Sequence, residues 1–436
     1  MLIKITNYLK KYSLILLFIV LILRILLLLL SIQRNNEAEK VTFDYYFAGS
    51  TETCAIYNDF YVAYLPDCNG FQKGSLLRII GREDKELANE FWPKKKIDVL
   101  EIKTIYISRA SFYYWFINAR QLFLNIRGYL QASIMRYFSY EENILAVGML
   151  MGTGGSNSEK LRQQFKIIGM QHVMAVSGYN VAMIGGLATL ISCRFGRFKQ
   201  FFIWILVLLP YIFMTDLSAS VVRAFVSAVL GIIGKNLFFR QKNNLYLLFL
   251  TSWLMLMLKP IYIFNISFQL SMTATLGIIL FMPIFSTADF WSNLSMGSFD
   301  LSSLPGLKIF YESLLNTVAA QVFTLPILLY HFGEFSILSL VANTFLLWLT
   351  PLITLGALFF ISQSLFLGRI YYLQLALSWF LLVPLKLFLR GVAFFAQYQQ
   401  LFFSGIKFNL SEVTVWCLGA ILLYIYLKKN YVLKSI

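Results

Sequence analysis

Eleven side chains able to hydrogen-bond or carry charge lie inside the most apolar parts of this chain. His172, Ser177 and Asn180 fall in GMQHVMAVSGYNVAMIGG, residues 169–186, and Ser220, Arg223 and Ser227 in MTDLSASVVRAFVSAVLG, residues 214–231. Asn265, Gln269 and Thr273 recur every four residues in NISFQLSMTATLGIIL, while Gln321 and Asn343 lie on either side of His331 between residues 316 and 351. A His near a Ser raises acid–base or nucleophilic chemistry. An Arg deep in apolar sequence raises anion contact or structural anchoring, since leaving it against lipid costs several kcal/mol. Amides and hydroxyls either line a watered path or fasten helices together.

Several chemistries are disfavoured by spacing. His172 and His331 are the two histidines, and neither stands in an H-E-x-x-H or clustered Cys setting, so zinc hydrolysis has poor support. GTGG at 152–155 lacks the Lys and Ser of a nucleotide cradle and reads as a turn. SGYN does not match the G-x-S-x-G elbow, and no acidic orienter accompanies His172. No metal, cofactor or enzymatic activity is expected.

The elements that must position these residues follow from composition. Of 436 residues, 58% are hydrophobic and 13% charged, far from the roughly 25% charged usual in soluble domains. Apolar segments of about 20 residues match an α-helix crossing a bilayer core of about 30 Å. The expected fold is therefore a polytopic α-helical membrane protein in the cell membrane. Residues 12–32 form a first anchor with Arg24 inside it, and Lys4, Lys10 and Lys11 before it place the N-terminus in the cytoplasm. Further spans are expected near 173–193, 199–214, 217–234, 245–259, 266–283, 313–330, one or two in 335–368, 372–390 and 413–427. A cytoplasmic position for Lys428, Lys429 and Lys434 requires 335–368 to contribute one net crossing instead of two, or another segment to be re-entrant. Pro326 and Pro351 are candidates for breaks in these spans.

Residues 34–105 differ in kind, holding 12 of 21 acidic and 10 of 37 basic residues, while the remainder carries about +18. Short alternating pieces with turn signals at Asp67, Asn69, Gly70 and Gly81 predict a small extracytoplasmic β domain, a barrel more readily than a sandwich. An oxidising exterior permits a Cys54–Cys68 disulfide closing a short loop, with two buried thiols as the alternative. Residues 111–140 mix aromatics with Arg120, Arg127 and Arg136 and read as an amphipathic helix lying on the leaflet. The resulting division is 1–33 anchor, 34–108 β domain, 109–141 interfacial helix, 142–400 polytopic domain and 401–436 final span with a basic tail.

On a helix turning about 100° per residue, Asn180 and Ser177 fall about 80° and 140° from His172, giving one polar arc. Ser220, Arg223 and Ser227 fall within about 60°, with Asp216 as a candidate ionic partner. Asn265, Gln269 and Thr273 share a face, and interhelical hydrogen bonding competes there with a polar lining.

In order along the chain, FKIIGMQHVMAVSGYNVAM, LSASVVRAFVSAVLG, FNISFQLSMTATLGII, AAQVFTLP and FGEFSILSLVANTFLLWLTP resemble the ComEC/Rec2 family of DNA-uptake membrane proteins. His172, Ala175, Ser177 and Gly178 match that family's His-Leu-x-Ala-[Val/Ile]-Ser-Gly-Leu-His word. Tyr179 and Asn180 stand where Leu and His are usual, which weakens a His-pair metal site and leaves Asn180 a hydrogen-bonding role. Arg223 with Ala224, and Phe268 to Ser271, match two further words. The resemblance implies a channel for single-stranded DNA in natural transformation, with the β block as an OB-like domain. It also implies a channel portion without the metallo-β-lactamase-like domain, served by a separate DNA receptor, cytoplasmic ATPase and nuclease, and compatible with a homo-oligomer. A secondary transporter of a small anionic or amphipathic solute, or a membrane-embedded lipid-processing enzyme using His172 and Ser177, are the alternatives.

Overall fold

The computed structural model describes residues 20–26, 41–46, 55–57, 61–64, 76–83, 95–105, 112–152, 158–174, 176–215, 217–236, 243–285, 305–367 and 371–432. Cys54, Cys68, Asp67, Asn69, Gly70, Ala175 and Asp216 lie outside them. The chain divides into two compact units, one of residues 1–125 with 253–263, the other of 126–252 with 264–436.

The first unit holds five strands: β1 (Val41–Tyr46), β2 (Ala55–Tyr57), β3 (Tyr61–Tyr64), β4 (Leu76–Glu83) and β5 (Lys95–Ile105). They pair in the order β1-β4-β5-β3-β2, with β3 and β5 parallel and the other pairs antiparallel. Among the described residues β1 and β2 do not pair, so the sheet is open where a barrel would close. Gly81 is not a turn. It lies within β4, where the register against β5 shifts between Ile80 and Gly81, a bulge that a residue without Cβ accommodates. Residues 20–26 are helical, and Arg24 on them is exposed.

Thirteen helices of eight residues or more follow among the described residues. α1 (Phe112–Met135) leads into α2 (Tyr140–Met151), α3 (Glu159–Ile167) and α4 (Gly178–Ser192). Next come α5 (Arg197–Met214), α6 (Ala219–Asn236), α7 (Asn244–Leu258), α8 (Ile266–Phe285) and α9 (Pro305–His331). The last four are α10 (Leu338–Leu346), α11 (Leu349–Leu367), α12 (Tyr371–Phe395) and α13 (Leu410–Leu427). Among the described residues, five segments are long and apolar enough to cross a membrane: Gln171–Ser192, Ile266–Phe285, Phe310–His331, Ser378–Phe395 and Leu410–Asn430. α5, α6 and α7 are shorter apolar helices. α10 and α11 meet at a 47° bend and pass together as one broken span or a re-entrant loop, which narrows the expectation of one or two spans there.

Among the described residues, two buried clusters organise the second unit. The larger joins Ile134, Leu145, Phe165, Val181, Ile353, Phe388 and their neighbours, and the smaller joins Phe281, Leu315, Ala319, Phe323 and Ala420. The C-terminal part of α1 enters the first cluster through Leu130 and Ile134. There Arg127 donates through Nη1 to the carbonyl of Met214 at 3.2 Å and through Nη2 to that of Gly152. A cation thus meets the negative C-terminal ends of α5 and α2, which fixes both ends.

Pro326 does not break its span. α9 runs through it without interruption, although a proline lacks the N–H that would reach the carbonyl four residues back. That carbonyl belongs to Val322, and the indole Nε1 of Trp416 on α13 donates to it at 2.9 Å. The neighbour supplies what the ring removes. Pro351 sits in the first turn of α11, where a missing N–H costs nothing, so the break lies before it. A short ribbon unforeseen from periodicity, β6 (Glu334–Ser336) with β7 (Phe402–Ser404), pairs antiparallel between α9 and α13.

Candidate functional site

His172 and Asn180 do not share a helical arc. Gln171–Val173 form a 3-10 turn, and the helix starts only at Gly178, with Ser177 extended at φ −99° and ψ 161° as its N-cap. His172 is exposed, whereas Asn180 is buried and donates through Nδ2 to the carbonyl of Met149 on α2. Ser177 and Gly178 interrupt the helix because Ser favours the cap and Gly the open turn. Asn180 is therefore a fastener between helices. Ser177 Oγ makes no capping bond and is half-buried, and no His172–Ser177 hydrogen bond occurs among the described residues.

Arg223 on α6 stands beside this start of α4. A Cβ on Gly178 would lie 3.2 Å from Ala224 Cβ and 3.3 Å from Arg223 Nη2, so glycine permits the approach. Arg223 Nη1 donates to Thr275 Oγ1 on α8 at 2.8 Å, and its Nε is buried without a hydrogen-bond partner. Ser220 and Ser227, on the same face by spacing, turn to other tasks. Ser220 Oγ is 3.1 Å from Ser218 Oγ, and Ser227 Oγ is 3.0 Å from Thr251 Oγ1 on α7.

The α8 face separates in the same way. Asn265 Oδ1 accepts from the Phe268 N–H at 3.1 Å and caps the helix, while Thr273 Oγ1 bonds back to the Gln269 carbonyl at 2.7 Å. Gln269 Oε1 crosses to His331 Nε2 on α9 at 2.8 Å. Farther along, Gln321 Nε2 donates to Ser339 Oγ on α10 at 2.7 Å. Asn343 is 6% exposed, and its Oδ1 is buried with no partner.

These links form a circuit: α4 to α6 at Gly178, α6 to α8 at Arg223, α8 to α9 at His331, and α9 to α10 at Ser339. It closes on the segment that carries His172. Gly169, at φ +69°, abuts Ser339, whose Cβ would stand 2.7 Å from an added Cβ, and Ser336 Oγ donates to the Ile167 carbonyl at 2.5 Å. Lys166 adds an ion pair to Glu334 at 2.7 Å. Thr275, Ser336 and Ser339 were not singled out by sequence, and Arg127 was read as one of three arginines on a leaflet-bound helix, not as a tie to the ends of α2 and α5. Hydroxyls four residues from an accepting carbonyl are common in apolar helices, so only the facing partner distinguishes them. No group of three or more His, Cys, Asp or Glu able to hold a metal ion occurs among the described residues.

Comparison with known proteins bears on this half of the chain. The sequence profile of the family described as Competence protein matches residues 149–430, which include every link of the circuit. ComE operon protein 3 of Bacillus subtilis (strain 168) is 28% identical over 223 residues, covering 49% of this chain and 26% of that protein. The chain thus spans about a quarter of that relative's length. No solved structure matches.

Proposed function

The chain belongs to the Competence protein family, and from that premise we propose that it is a channel carrying single-stranded DNA across the cell membrane during natural transformation. The observation that carries this reading is the closed circuit of membrane helices around Arg223. Its guanidinium adjoins the N-terminal end of α4, where the helix dipole is positive and Ser177 Oγ is free of capping duty. Two positive features side by side repel unless an anion visits. A nucleic-acid backbone offers one phosphate after another, and contacts of this kind let a strand advance. Ser220 and Asn343 border the same circuit, Ser227 and Thr273 tighten it, and Gln269 and Gln321 hold its helices in register.

The strand order β1-β4-β5-β3-β2, with β3 and β5 parallel, supports an OB-like reading of the first unit, which on the charge pattern lies on the extracytoplasmic side. A Cys54–Cys68 bridge and a leaflet-bound first half of α1 belong to the same reading. So do a separate DNA receptor, ATPase and nuclease. The test is internalisation of labelled DNA. Deletion should abolish entry into the cytoplasm and leave surface binding intact, and normal entry in the deletion strain rejects the channel. Arg223→Gln, at normal membrane abundance, should lower entry by on the order of tenfold or more, the scale of one charge-assisted contact. Unchanged entry would remove Arg223 from the path while leaving the channel standing.

A further inference from the structure

Arg223 is held on α8 by a neutral oxygen. Its Nη1 donates to Thr275 Oγ1 at 2.8 Å, and among the described residues its guanidinium makes no ion pair and its buried Nε no hydrogen bond. A planar guanidinium carries Nη1 on one side and, on the other, the Nε–Nη2 edge that can grip an anion with two parallel bonds. With Nη1 held at Thr275, Nη2 comes to the start of α4, 3.3 Å from where a Cβ on Gly178 would stand.

Thr275 is suited to this task. Its Oγ1 also donates to the Ser271 carbonyl at 2.8 Å, so its one proton is committed and a lone pair faces the donor-only guanidinium. α8 gives it a firm seat, because Gly277 packs on the α9 backbone at Ala319 and Gln269 meets His331. Thr275 lies about 200° round the helix from Thr273, on a face apart from the four-residue repeat. A carboxylate in its place would hold Arg223 as firmly and cancel its charge, whereas a hydroxyl fixes the guanidinium and leaves the charge free to attract a phosphate. We propose that Thr275 is the positioning residue for Arg223, fixing its guanidinium beside the start of α4 with the charge uncancelled for a passing phosphodiester. This rests on the channel reading and goes beyond it, because an arginine kept only to fasten α6 to α8 would be served better by an acid.

The experiment is uptake of labelled DNA at matched membrane abundance, with the full chain carrying single changes at Thr275 or Thr275→Val together with Arg223→Gln. Thr275→Val keeps the shape and loses the hydroxyl, and uptake should fall by about fivefold, less than with Arg223→Gln. Thr275→Ser keeps the hydroxyl and should hold uptake near the unaltered level. Thr275→Asp should lower uptake as far as Arg223→Gln does, although a purely structural tie would be strengthened by it. Added to Arg223→Gln, Thr275→Val should cost nothing more, because it acts through the guanidinium. If Thr275→Val is not made at normal abundance, the contrast between Thr275→Ser and Thr275→Asp decides. With uptake blocked in the deletion strain, unchanged uptake in Thr275→Val, normal uptake in Thr275→Asp, or a further loss on adding Thr275→Val to Arg223→Gln overturns this inference and leaves the channel standing. Normal uptake in the deletion strain rejects both.

Discussion

Gln269 and His331 show what a polar residue in an apolar helix does when its partner is known. Their side chains meet across α8 and α9 at 2.8 Å, and such interhelical bonds measure about 0.6 kcal/mol in membrane bundles. A double-mutant cycle with Gln269→Ala and His331→Ala, read by reversible unfolding in mixed micelles, should give a coupling of about that size. A coupling of zero would mean the pair is not formed in the bilayer-like state. The need for partners was legible at 180, 223, 269 and 321, because an amide or guanidinium in hydrocarbon must find one, whereas His172 is exposed. Which partner was not legible, since helical spacing names a face and says nothing of the neighbour across it. Asn265 illustrates the loss: the same four-residue repeat that joins it to Gln269 places it at the helix start, where capping claims its oxygen.

Helices α8 and α9 approach where Gly277 faces the backbone of α9, and a Cβ on Gly277 would fall onto the Ala319 carbonyl oxygen. Backbone cannot yield as a side-chain end can. Gly277→Ala should therefore separate the pair and destabilise the protein by about 1 to 3 kcal/mol, the cost of overpacking. Gly186→Ala on α4, which meets nothing within 4 Å, should be neutral or slightly stabilising. Thermal unfolding of both variants in one detergent checks the contrast. Helix positions were readable from apolar runs, and the segments expected at 199–214, 245–259 and 266–283 coincide with α5, α7 and α8 within two residues, although of these α8 alone has the length and hydropathy of a span. β6 and β7 were not readable, since three residues are too few to show a two-residue period.

For the molecule as a whole, residues that the family match unites are joined through contacts distant in sequence, and the β6–β7 ribbon is one of these. Glu334 pairs with Ser404, and the Gly333 carbonyl accepts the N–H groups of Gly405 and Ile406 at 2.9 and 3.1 Å. A chain truncated after residue 401 should leave Glu334–Ser336 without its partner strand, and limited proteolysis should then cut near 332–337, where the full chain resists. The ribbon also orders events during biosynthesis. α10, α11 and α12 leave the ribbon after Ser336 and return to it at Phe402, so all three are synthesised before β7. β6 therefore gains its partner strand only after them, whereas its links to the His172 segment, Lys166 to Glu334 and Ser336 to Ile167, need no residue beyond 336. Every link of the circuit, from Gly169 to Ser339, is therefore made before β7 exists, and the ribbon acts as a late clasp on contacts already in place.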